Sequence, residues 1–134
     1  MPGAKLVFLG YRDQWEVDRL RERAPAEVEI VGVPREATRE EVSDACSDAA
    51  VVIPWGPVFD IDIARSCRNL KLVQVLSAGT DYVPVGDLAE MGIRVANNRG
   101  GNAVAVAEIA IVLMVSAYRQ LMVQWQQMNN EGTY

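Results

Sequence analysis

The 134 residues contain no histidine and only two cysteines, Cys46 and Cys67. Without histidine or a Cys-x-x-Cys spacing, the usual ligand set of a protein zinc site is missing. The two cysteines are expected as small buried apolar residues, as in a reducing cytoplasm. No two glycines stand in Gly-x-Gly spacing. That excludes the Gly-x-Gly-x-x-Gly turn through which a backbone approaches a pyrophosphate, and with it dinucleotide binding by these residues alone. A Walker A lysine loop is also absent. Basic charge is neither dominant nor clustered, and the net charge is -5. This argues against a nucleic-acid partner and against anionic membrane surfaces. The longest apolar run, Ala103 to Ala117, is interrupted by Glu108. It falls short of the roughly 18–20 residues that span a bilayer. The N-terminal run Leu6 to Leu9 is too short for a signal peptide. The expectation is a cytoplasmic protein with no metal, no membrane and no nucleic acid.

What is present is apolar: half of the residues, enough for one real core at this length. Short apolar runs recur at Lys5–Gly10, Val28–Val33, Ala49–Pro54, Leu70–Leu76 and Ile93–Asn97. Between them lie amphipathic stretches. Asp13 caps a helix that Pro25 stops. Thr38 with Glu41 forms a capping box for a helix through Cys46. Asp60–Cys67 and Val85–Met91 read as short helices, the latter ended by Gly92. Strands that are continuously apolar, alternating with helices, indicate a parallel sheet covered on both faces. The spacing predicts an α/β, flavodoxin-like, doubly wound five-stranded sheet of order 2-1-3-4-5 over residues 1–101. One long helix is expected over 102–128 and a frayed tail over 129–134.

Ligands of open parallel sheets bind beyond the carboxyl ends of the strands. The first such turn, Gly10-Tyr11-Arg12-Asp13-Gln14, lacks a flavodoxin-type phosphate loop. The third, Pro54-Trp55-Gly56-Pro57, lacks the acid of a receiver domain. The candidates are therefore Trp55, as a pocket wall; Ala78 and Gly79, within Ser77-Ala78-Gly79-Thr80-Asp81; and Arg99 with Asn102, around Asn98-Arg99-Gly100-Gly101-Asn102. Gly79 would let backbone N–H groups turn outward to cradle an anion. Asn102, as the cap of the long helix, would bring an amide and a positive helix end toward a carboxylate. Arg99 and Arg12 could add charge. Each also has a plainer reading: a turn glycine, an N-cap, a packed tryptophan, a solvated arginine. Convergence on one sheet edge is what favours a site.

Three segments carry a resemblance. Asn69-Leu70-Lys71-Leu72-Val73 with Ser77-Ala78-Gly79-Thr80-Asp81, then Gly92-Ile93-Arg94-Val95-Ala96-Asn97, then Asn102-Ala103-Val104-Ala105-Val106-Ala107-Glu108 follow one another in order. Together with Arg119 they resemble the D-isomer-specific 2-hydroxyacid dehydrogenases over most of residues 50–120. The chain departs from that pattern at Arg99, where many members have proline, and at Pro84, where many have a second acid. The resemblance implies NAD- or NADP-dependent interconversion of a 2-hydroxy acid and a 2-keto acid. It implies that the N–H groups around Ala78 and Gly79 hold the substrate carboxylate, that Asn102 lies at the substrate or cofactor boundary, and that Trp55 shapes the pocket. The family's catalytic arginine, glutamate and histidine have no counterpart here, so this chain supplies no catalytic residue and binds no cofactor by itself. The expected role is the substrate-binding portion of such an enzyme, truncated before its nucleotide-binding domain. The alternative is a stand-alone binding or dimerisation module of the same fold.

The last helix carries Val104, Val106, Ile109, Ile111, Val112, Leu113, Met114 and Val115, which go all the way round its axis. A helix apolar on every side must be buried on every side. In the family resembled, it crosses between domains and packs at a dimer interface. A homo-oligomer through residues 103–123, a dimer or a swapped dimer, is therefore expected.

Overall fold

The computed structural model describes residues 3–132, which form two compact units, one up to Arg99 and one from Gly100. The first is a five-stranded parallel sheet in the order β2-β1-β3-β4-β5, as the sequence predicts. Its strands are β1 (Ala4–Tyr11), β2 (Val28–Pro34), β3 (Val51–Pro54), β4 (Leu72–Gln74) and β5 (Arg94–Ala96). Its helices are α1 (Gln14–Arg23), α2 (Arg39–Cys46), α3 (Ile61–Ser66) and α4 (Val85–Glu90).

The period of two along each strand divides the core between the faces. Val7, Leu9, Val52, Val73 and Val75 pack with Val42 and Cys46 of α2, Ile63 and Ala64 of α3, and Leu88 of α4. Phe8 and Ile53 point the other way, onto Val17 of α1. Full burial of side chains such as Leu9 and Leu88 contributes about 1.5–3 kcal/mol each. Cys46 and Cys67 are both free and buried, within the larger of these clusters. The contact with Cys67, then burial, pushes the Cys46 thiol upward.

Caps fix the helix starts. The Thr38 N–H donates to Glu41 Oε2 at 2.7 Å, and the Glu41 N–H donates to Thr38 Oγ1 at 3.3 Å. Asp60 Oδ1 accepts from the N–H groups of Asp62 and Ile63, at 3.1 and 3.0 Å. Arg39 of α2 donates to both carboxylate oxygens of Asp60, one at 3.1 Å, tying the two helix starts together.

Gly10 departs from a plain strand end. It sits where the β1–β2 register slips between Leu9 and Tyr11, a β-bulge, with φ +79°. A Cβ there would lie 2.7 Å from the carbonyl oxygen of Trp55. The bulge thus lets the chain leaving β3 pass against β1, where the Trp55 N–H donates to the Leu9 carbonyl at 3.0 Å.

The second unit differs from the single helix expected over 102–128. It holds two helices, α5 (Ala103–Tyr118) and α6 (Leu121–Glu131), bent by 60°. The break is at Gln120, whose φ of 53° and ψ of 38° place it in the left-handed region. Glycine normally takes that position after a helix. With glutamine there, the sequence carries no sign of the break. α6 continues through Glu131, past the helix end expected at residue 128; Thr133 and Tyr134, in the tail expected to fray, lie outside the described residues. No residue of α5 is buried, and its valines, isoleucines and leucine are exposed on all sides. Among the described residues no single helix is long and apolar enough to cross a membrane.

Candidate functional site

β3, β4 and β5 are neighbours, so the loops beyond their carboxyl ends lie side by side, one strand spacing apart. These loops carry Trp55, Ala78 with Gly79, and Arg99. Trp55, Ala78, Gly79 and Arg99 are all exposed. The loops after β4 and β5 are joined directly. The Asn97 side-chain amide donates to the Ala78 carbonyl at 2.6 Å, and the Asn98 N–H donates to the Ser77 carbonyl at 3.0 Å.

The loop after β4 has an asymmetric hydrogen-bond balance. Four consecutive carbonyls each accept one hydrogen bond. Ser77 takes the Asn98 N–H, Ala78 the Asn97 amide, Gly79 the Ser77 hydroxyl at 2.7 Å, and Thr80 the Val83 N–H at 2.9 Å. The N–H groups of Ala78, Gly79 and Thr80 find no acceptor among the described residues. A run of engaged carbonyls beside unengaged N–H groups leaves three donors together on an exposed loop, the chemistry an anion would use. The Ser77 hydroxyl also meets the Tyr82 hydroxyl at 3.2 Å, which ties the loop to its own exit.

Gly79 is not required for the reason expected. Its backbone is outside the left-handed region. A Cβ would meet only Asp81 Oδ2, at 3.0 Å, the mobile end of an exposed side chain. The N–H groups are left over because hydrogen bonds hold the carbonyls, not because glycine frees the backbone.

Asn102 occupies the N-cap position of α5, as predicted, but its side chain makes no cap hydrogen bond. Its ψ of 8° is not the extended geometry that turns a capping side chain toward the first free N–H groups. Its carbonyl accepts the Val106 N–H at 2.9 Å, and its amide has no capping duty. Asn102 belongs to the second unit; Ala78, Gly79, Trp55 and Arg99 belong to the first.

A groove of about 290 Å³ beside α1, lined by Phe8, Trp15, Arg19, Leu20, Ile53 and Leu76 among others, includes none of the candidates. The turn after β1, where a dinucleotide would meet α1, is already occupied from within. Glu16 Oε1 accepts the N–H groups of both Arg12 and Asp13, each at 3.2 Å. A pyrophosphate there would compete with a carboxylate for the same donors and be repelled by it.

Sequence reasoning missed Gly10, Asn97, Ser77 and Tyr82. Asn97 closes the strand-five motif but carried no role there. A short polar amide at a strand's carboxyl end, beside a loop of small residues, was the available signal.

Comparison with known proteins bears on the family and the fold. The sequence model of "D-isomer specific 2-hydroxyacid dehydrogenase, catalytic domain" matches residues 6–131. A D-3-phosphoglycerate dehydrogenase of Archaeoglobus fulgidus is 31% identical over 106 residues, which cover 78% of this chain and 19% of that protein. A hydroxypyruvate reductase of Thermotoga maritima is 37% identical over 60 residues, 45% of this chain and 20% of that protein. The matched part thus spans about a fifth of these relatives' length. The fold is shared with an NAD-dependent formate dehydrogenase of Staphylococcus aureus solved with NAD, at TM-score 0.75 and 22% identity, over 97% of this chain and 43% of that one.

Proposed function

Because the chain belongs to the D-isomer specific 2-hydroxyacid dehydrogenase family, we propose that these residues form the substrate-binding portion of an NAD- or NADP-dependent enzyme interconverting 2-hydroxy and 2-keto acids. The observation that carries this reading is the loop after β4, with its four engaged carbonyls and three unengaged N–H groups. The substrate carboxylate would sit on the N–H groups of Ala78, Gly79 and Thr80, with Trp55 and Arg99 on the adjoining loops. Asn102, at the start of the second unit and free of capping, is proposed from the family resemblance alone as a residue facing substrate or cofactor. The residues present do not fit a dinucleotide: no Gly-x-Gly turn follows β1, and the Glu16 carboxylate takes the Arg12 and Asp13 N–H donors just before α1. NAD or NADP would therefore be held outside these residues, and no step of hydride transfer is assigned to them.

The test is titration of the chain with pyruvate, glyoxylate and NADH. The reading expects saturable binding of the keto acids and none of NADH. Tight NADH binding, or indifference to every keto acid, would sink it.

A second copy is proposed to cover α5, whose apolar side chains are exposed on every face. A monodisperse monomer in sedimentation at micromolar concentration contradicts this. The two free, buried thiols are compatible with a cytoplasmic location.

A further inference from the structure

We infer that Asn97 is a positioning residue, which holds the loop after β4 in its anion-accepting form through the Ala78 carbonyl; this rests on the carboxylate reading above. Asn97 directly follows β5 and is half-buried, and its amide reaches across to the neighbouring loop at 2.6 Å. It touches no proposed ligand group. Its effect is through the peptide it grips. The Ala78 carbonyl belongs to the same peptide unit as the Gly79 N–H, so fixing one aims the other in the opposite direction. Ser77 does the same one peptide further on, its hydroxyl holding the Gly79 carbonyl and so the Thr80 N–H. Without the Asn97 amide, the Ala78 carbonyl is free to rotate outward, where its oxygen would repel an anion. Binding a carboxylate would then require the loop to be ordered first, which reduces affinity by the fraction of time it is ordered.

The chemistry asks for a donor at position 97. Asparagine provides one at every pH. In Asn97→Asp the ionised carboxylate faces the Ala78 carbonyl with no proton to give, and only its protonated form restores the bond. The other charged groups nearby are Asp81, whose Oδ2 lies close to Gly79, and Arg99, two residues along. Both are present in the parent as well, so the parent measured over the same pH range is the control.

The experiment is a ¹⁵N–¹H correlation titration of the whole chain with pyruvate, following the Ala78, Gly79 and Thr80 amides. In the parent these three amides shift and saturate together. In Asn97→Ala the spectrum stays dispersed and affinity falls by about threefold to tenfold, the worth of one hydrogen bond. In Asn97→Asp affinity falls at least as far at pH 7. It recovers relative to the parent as the introduced carboxyl protonates, around pH 4. Loss of affinity without that pH-dependent recovery would mark a merely structural role and overturn the inference. So would parent-like affinity, within twofold, in Asn97→Ala. If the parent's three amides do not respond to any keto acid, the carboxylate reading itself falls, and this inference with it.

Discussion

Replacing Gly10 by alanine tests how the chain leaving β3 is fixed. Two costs add. Alanine at a φ of +79° costs about 1–2 kcal/mol, because the left-handed region crowds a Cβ. The new Cβ would also stand 2.7 Å from the Trp55 carbonyl oxygen, a backbone atom that cannot swing aside. Relieving that overlap moves the Trp55 peptide and weakens its bond to the Leu9 carbonyl, worth about 0.5–1.5 kcal/mol. The expected loss is about 1.5–3.5 kcal/mol, or on the order of 6–28 °C in Tm for a unit of this size. Gly92→Ala is the control. Gly92 also has positive φ, +74°, but a Cβ there meets nothing within 4 Å. It carries the conformational cost alone. Urea unfolding followed by far-UV circular dichroism separates the two. Equal losses in both variants would refute the Trp55 contact, and a Gly10→Ala protein within 0.5 kcal/mol of the parent would refute the whole account.

Other outcomes follow from the same packing. Phe59→Ala should cost about 3–5 kcal/mol in chemical unfolding, since Phe59 is 1% exposed and anchors the loop between β3 and α3 to the core. Gly79→Ala should leave stability within about 0.5 kcal/mol, because only the Asp81 side chain must move. The Arg39 guanidinium, then the Ile63 N–H, hold the Asp60 carboxyl below its ordinary 3.8. A depressed carboxylate stabilises above its unfolded pKa, and that contribution is lost as pH falls through the lower, folded value. Asp60→Asn keeps an acceptor for the α3 cap but removes the charge. Its thermal stability should therefore trail the parent near neutrality, converge with it below about pH 3.8, and differ less at high salt. Pairing Ile109→Asp with Leu113→Asp should convert any assembly through α5 to monomers in sedimentation, without altering the far-UV spectrum of the sheet unit.

The fold was legible because burial on two faces leaves a strong trace: five apolar runs separated by helices, two of them with caps visible in the sequence. Thr38 with Glu41 marked the start of α2, and α2 ends at Cys46 as expected. Strand ends were less legible. β4 was expected over Leu70–Leu76, but its ladder covers Leu72–Gln74. Leu70 and Val75 are buried all the same. Hydrophobicity reports which side chains enter the core, not which peptides pair. The break after Tyr118 left no trace, since neither glycine nor proline marks it. At the candidate site, the sequence indicated which loops share the sheet edge. It could not indicate Asn97's grip on Ala78, because that bond joins two residues nineteen positions apart. Nor could it show that Gly79 has an ordinary backbone.

The exposed α5 also sets how the chain behaves as a colloid. Its sixteen residues carry one charged side chain, Glu108. The mutual repulsion that keeps copies apart in water therefore comes almost wholly from other parts of the chain. Added salt screens that repulsion within about a nanometre, and sulfate at the same time strengthens apolar burial. The chain should salt out early with ammonium sulfate and bind tightly to apolar resins. A partner that covers this helix should raise the solubility limit more than any added surface charge on the sheet unit.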